Sequence, residues 1–75
     1  MAQLQFFFAM DEEKVNKYFS EIKKVAKQNR CTIDDKPQEE GTGCYKFTVL
    51  GTPEQLKELR ADLIASNLPQ GYLVE

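Results

Sequence analysis

Twice along this chain the spacing of apolar residues switches from a strand's period of two to a helix's period of three to four. Each switch falls at a helix-capping sequence. In the first case Leu4 to Met10 is a dense apolar run containing Phe6, Phe7 and Phe8. It is too short for a solitary helix, and its aromatic enrichment predicts a strand. Asp11 follows as an N-cap, with Glu12 and Glu13 in the first turn, where the helix dipole favours acids. Met10 and Val15 occupy the two positions of a hydrophobic staple. Val15, Tyr18, Phe19, Ile22, Val25 and Ala26 then form one apolar stripe on an amphipathic helix running to Gln28. Asn29 is placed to close that helix in the left-handed conformation.

The second switch repeats the logic. From Cys44 to Leu50, Tyr45, Phe47 and Val49 alternate with Cys44, Lys46 and Thr48, which predicts a half-buried strand broken by Gly51. Thr52-Pro53-Glu54-Gln55 opens a second helix, with Thr52 as N-cap, Pro53 at the first helical position and Gln55 completing a capping box. Leu56, Leu59, Leu63 and Ile64 are its expected buried stripe. Asn67 to Gly71 ends it, and Tyr72-Leu73-Val74 supplies a last strand.

Between these two halves, Cys31 to Lys36 reads as a short polar strand anchored by Ile33. Residues 37–43 contain no apolar side chain beyond Pro37 and form the connecting loop. The resulting order is strand, helix, strand, strand, helix, strand. Two such matched units close most naturally as an α+β, ferredoxin-like βαββαβ two-layer sandwich. The expectation is one domain over residues 1–75, with a four-stranded antiparallel sheet and both helices on one face. The two apolar strands would be central and the polar second strand an edge.

With only 75 residues, such a fold buries one thin core and has no room for a deep enclosed cleft. The balance of 10 basic and 12 acidic residues, net −2, fits neither a dedicated nucleic-acid binder nor an acidic nucleic-acid mimic. No stretch approaches the roughly 20 apolar residues of a membrane span, and residues 1–5 lack a signal-peptide pattern. Cys31 and Cys44 are too few for a disulfide scaffold or a zinc site. These features together predict a cytoplasmic protein with free thiols.

Because the helices cover one face of the sheet, the phase of each strand decides what the other face presents. Burying Lys46 without a partner would cost several kcal/mol, so Tyr45, Phe47 and Val49 are assigned inward and Cys44, Lys46 and Thr48 outward. On the first strand Leu4, Phe6 and Phe8 are in phase and face in, leaving Gln3, Gln5 and Phe7 outward. One exposed aromatic on a sheet is ordinary. Flanked by Gln5, Lys46 and Thr48, however, Phe7 can also anchor a contact with a partner. Cys31 is in step with Ile33 and faces in, whereas Cys44 faces out, so a bond between them is not expected.

Catalytic chemistry is hard to assemble. The chain has no histidine, which removes the commonest general base and metal ligand together. No base pairs with Cys44, Ser20 or Ser66 as nucleophile. Asp34, Asp35, Glu39 and Glu40 match no calcium loop, and Gly41-Thr42-Gly43 leads into a strand, unlike a phosphate cradle. The first helix carries Lys14, Lys17, Lys23, Lys24, Lys27 and Arg30 interleaved with Glu13 and Glu21, the pattern of a solvated face with an anionic-docking alternative.

Families of this architecture can be tested on their own residues. Gly43 to Val49 resembles the base-stacking segment of RNA-recognition motifs, but its aromatics are one position out of phase and face inward. The Cys-x-x-Cys of metal-binding domains is replaced by Asp11-Glu12-Glu13, and the phosphate-cradling arginine of acylphosphatases is missing. ACT-type amino-acid sensors have a looser signature that topology alone leaves open. The resulting expectation is a small non-enzymatic protein-binding module, a regulator or inhibitor, with no cofactor and no metal. Its candidate surfaces are the open sheet face (Gln5, Phe7, Lys46, Thr48), the edge strand (Thr32, Asp34) and the basic helix arc (Lys24, Lys27). Another protein is the expected partner, a homodimer is compatible, and no membrane is involved. The alternatives are an ACT-like small-ligand sensor and a weak RNA or single-stranded nucleic-acid binder.

Overall fold

The computed structural model describes residues 2–74. Its elements run β1 (Ala2–Phe8), α1 (Glu12–Gln28), β2 (Thr32–Ile33), β3 (Gln38–Glu39), β4 (Tyr45–Gly51), α2 (Pro53–Ala65) and β5 (Tyr72–Val74). The fold is α+β: two helices and an antiparallel sheet of five strands ordered β2-β4-β1-β5, with β3 also paired to β4. The apolar strands β1 and β4 are central, as their composition predicts.

The expected count of four strands is corrected to five, and the cause lies in the edge opposite β5. β2 pairs Thr32 with Leu50 and Ile33 with Val49. Asp34 prolongs this pairing without being a strand residue. Its N–H donates to the Thr48 carbonyl at 3.3 Å, and its carboxylate accepts the Thr48 N–H at 2.9 Å. Pairing resumes only at Gln38, opposite Lys46. Residues 35–37 therefore stand opposite Phe47 alone, and the excess chain bends out at the exposed Asp35 and Lys36, just before Pro37, which has no N–H to offer a ladder. The segment expected as strand (31–36) and the segment expected as loop (37–43) thus each hold a two-residue strand.

Both helix starts follow the sequence. The Asp11 carboxylate accepts the Lys14 N–H at 3.0 Å, and Thr52 and Gln55 form a reciprocal capping box at 3.1 and 3.0 Å. Both ends use one motif. Cys31 N–H donates to the Ala26 carbonyl and Leu68 N–H to that of Leu63, each a six-to-one bond past a left-handed residue. In α1 that residue is Arg30 (φ 61°) and not Asn29, which stays at φ −97°. The Asn29 side chain instead donates to the Val25 carbonyl and to Asp62 on α2, both at 3.0 Å, tying the two helices together.

The core is one cluster. Leu4, Phe6, Phe8, Phe47 and Val49 of the sheet pack against Val15, Phe19, Ile22 and Ala26 of α1 and Leu56, Leu59 and Leu63 of α2. Phe6 stacks on Phe47 at 4.7 Å between ring centroids, and Phe19 meets Phe47 edge-on at 4.8 Å. Ile64, expected in the stripe, is instead 54% exposed. Leu56, Leu59 and Leu63 already complete the inward stripe at three- and four-residue spacing, and Ile64 falls about 100° past Leu63 on the helix flank.

Because Phe47 touches both other rings and Phe7 lies outside the core, the two respond differently to truncation. Phe47→Ala should cost about 3–5 kcal/mol and unfold so small a protein. Phe7→Ala should leave the denaturant midpoint nearly unchanged. Equal losses in urea titrations would refute the assignment of faces on β1.

Candidate functional site

On the side of the sheet away from the helices, the register sets outward residues side by side. Phe7 lies opposite Lys46, Gln5 lies between Thr48 and Tyr72, and Gln3 lies between Leu50 and Val74. Alternation puts these eight side chains on one face because their neighbours along each strand are the core residues. Phe7 is 56% and Tyr72 67% exposed, with ring centroids 6.3 Å apart. Val74 is also exposed, Leu50 is half-buried, and Gln5 donates an amide hydrogen bond to Gln3 at 3.2 Å.

The electrostatics of this face are simple. Lys46 is the one charged residue among the eight, and its ammonium lies 2.8 Å from Glu40. The partial exposure of both side chains makes this a weak pair energetically, but it neutralises the face locally. Away from that pair and from Asp34 at the edge, the face is thus a neutral surface with an aromatic and aliphatic corner, on a chain in which 29% of residues are charged.

The structure gathers four of the predicted site residues, Gln5, Phe7, Lys46 and Thr48, on this one face. Thr32 is exposed at the edge beside Leu50. Asp34 is there too, but its carboxylate is engaged in closing the edge against Thr48. Lys24 and Lys27 are exposed on α1, in the layer on the far side of the sheet, so they belong to a different surface. Sequence reasoning missed Tyr72, Val74 and Leu50. Their signal was the alternation of 72–74, which becomes readable only once the Gln5–Tyr72 pairing is known.

Three further groups bear on chemistry. Tyr45, half-buried at the rim, has its phenol pushed above its ordinary range by desolvation, reinforced by Glu39, Glu12 and Asp11. It is neutral at physiological pH and available as a hydrogen-bond donor. Burial likewise raises the Cys31 thiol, whose Sγ lies 3.6 Å from the Asn29 carbonyl. Cys44 is exposed and also free. Among the described residues no group of three or more acidic or cysteine side chains could hold a metal ion.

A raised thiol pKa means less thiolate at a given pH, and burial also blocks the reagent, so Cys31 should be inert in the folded state. A chromogenic disulfide reagent at pH 8 should modify one thiol rapidly and the second only after denaturation. Cys44→Ser should remove the rapid phase. Two rapid thiols in the native protein would contradict the buried position of Cys31.

No helix among the described residues is long and apolar enough to cross a membrane. No protein-family model matches the chain, and comparisons with curated proteins and with solved structures return no significant match. What this surface does must therefore be reasoned from its own residues.

Proposed function

We propose that this protein is a small non-enzymatic protein-binding module, a regulator or inhibitor, that engages its partner through the open face of the sheet. The observation that carries the proposal is the exposed Phe7–Tyr72 pair, flanked by Val74 and Leu50, among eight outward side chains whose one charged member, Lys46, is paired with Glu40. Aromatic side chains in a patch depleted of charge are what the buried centre of a protein interface is made of. The surrounding Gln3, Gln5 and Thr48 supply the neutral hydrogen-bonding groups that such a centre is rimmed with.

The same face disfavours the nucleic-acid reading. Phe7 and Tyr72 could stack on bases, but a single-strand binder pairs such a platform with cations that track the backbone. The one cation here is bound to Glu40, and the free lysines Lys24 and Lys27 lie on the other layer. A second copy of the chain is one partner this face admits, because two neutral faces meet without like-charge repulsion. On the architecture, counting β2 and β3 as one interrupted edge strand makes the strand order that of a ferredoxin-like sandwich. Open sheet faces in that arrangement are free to pack against a partner.

The test is affinity capture with the tagged protein from a lysate of the cell that makes it, with Phe7→Asp alongside and nuclease added to both. The captured protein is then purified and titrated against wild type and variant, while light scattering on the isolated chain reports self-association. A nuclease-resistant protein or a dimer, lost with Phe7→Asp, is the expected result. Retention of nucleic acid alone, or a partner held equally well by Phe7→Asp, would overturn the proposal.

A further inference from the structure

β5 pairs only with β1, so it forms one edge of the sheet and leaves a row of backbone groups on its outer side. Beside that edge runs a groove of about 550 Å³ between β5 and α2. Its apolar part is made by Ala61, Ile64 and Leu73, and both Ile64 and Leu73 are exposed although large and apolar. These side chains project on the opposite side of β5 from Tyr72 and Val74, so the groove is separate from the open sheet face.

The groove also carries two cations, Lys57 and Arg60, against one anion, Glu54. Arg60 is half-buried in it, yet among the described residues its guanidinium makes a single hydrogen bond, 3.4 Å to the Gln70 side chain. Its Nε–H is buried with no acceptor. Lys57, one turn earlier, also lines the groove, and among the described residues neither forms an ion pair. Glu54 lies at the far end, about 9 Å from Arg60 along the helix axis. A guanidinium has five donors and prefers a bidentate carboxylate, so a long contact to a neutral amide leaves most of its capacity unused.

We propose that the β5 edge and this groove together form a docking site for an extended peptide segment bearing an apolar residue and, two positions away, a carboxylate. The peptide backbone pairs with β5 and its alternate side chains enter the groove. The spacing fits. Side chains two apart on a strand share a face about 6.6 Å apart, and Ile64 and Arg60 are separated by one helical turn, about 5–6 Å. The apolar side chain packs on Ile64 and Leu73 while the carboxylate takes Arg60, with Lys57 adding charge. This site does not depend on the open-face reading and uses none of its outward side chains.

The probe is the capped peptide acetyl-Lys-Thr-Val-Thr-Leu-Thr-Glu-Thr-Lys-amide, titrated into 15N-labelled protein by NMR. Saturable shifts are expected at the backbone of residues 72–74 and at the Arg60 Nε–H. Replacing the peptide Glu by Gln, or Arg60→Gln in the protein, should each weaken binding about tenfold or more, the worth of one charge-assisted hydrogen bond. An unchanged spectrum away from position 60 establishes that Arg60→Gln is folded, and a peptide with proline replacing both threonines that flank the central Leu should not bind. Phe7→Asp should bind the probe like wild type, which keeps this outcome distinct from the fate of the open face. Absence of saturable shifts, shifts centred on Phe7, or indifference to the Glu and Arg60 changes would each overturn the proposal. So would saturation of the groove by 4-phenylbutyrate with no response to the peptide, which would make the site one for small carboxylates.

Discussion

The structure depends on the pairing of β1 with β4, seven residues against seven, from Ala2 opposite Gly51 to Phe8 opposite Tyr45. This ladder joins the two halves of the chain, and its register brings Phe6 opposite Phe47. Their rings stack at 4.7 Å and 10° between planes, while Phe19 of α1 closes on Phe47 at nearly a right angle. Each well-placed aromatic pair contributes about 0.5–1.5 kcal/mol beyond its area. In a protein this small such terms are a sizeable part of the net stability.

The same register divides the chemistry. Because side chains alternate, fixing Phe6 against Phe47 on the helix side also fixes Phe7 and Lys46 on the other. A slip of one residue would bury Lys46 and expose the core phenylalanines, so burial enforces the pairing. The polar residues of the open face are thus placed by what the inner face requires. β5 inherits this division through Gln5 and Leu4, sending Tyr72 and Val74 to the open face and Leu73 toward α2.

The sheet's two edges are handled differently. Along β2 and β3 the edge is broken by the bulge at 35–37 and closed by the Asp34 carboxylate, which occupies the Thr48 N–H. Interrupted pairing with an acid in it discourages a further strand. Among the described residues β5 has no such device, and Gly71 leads into it at φ +75°, where an added Cβ would lie 2.9 Å from the Gln5 carbonyl oxygen and 3.0 Å from the Phe6 ring. A glycine there lets the chain cross closely over β1 to form the edge. The open edge, the groove and the unpaired cations of α2 therefore share one corner of the molecule.

Much of this was legible in the residues alone. The caps at Asp11 and Thr52, the inward phases of β1 and β4 and the contrast between buried Cys31 and exposed Cys44 are all local or periodic. They follow from backbone hydrogen bonding and from the cost of burying a lysine. Other features depend on what lies across from a residue, and single-chain spacing does not carry that. The split of the second strand requires Asp34 to meet Thr48, fourteen residues on. The left-handed position falls on Arg30, one residue past Asn29, whose side chain reaches Asp62 on the other helix, and Ile64 is left outside because three leucines of α2 complete the core contact. The candidate surface divides the same way: sequence placed Phe7 outward, but only pairing with β5 set Tyr72 beside it. Periodicity determines which way a side chain points, and tertiary pairing decides which neighbours it points with, because those neighbours come from distant parts of the chain.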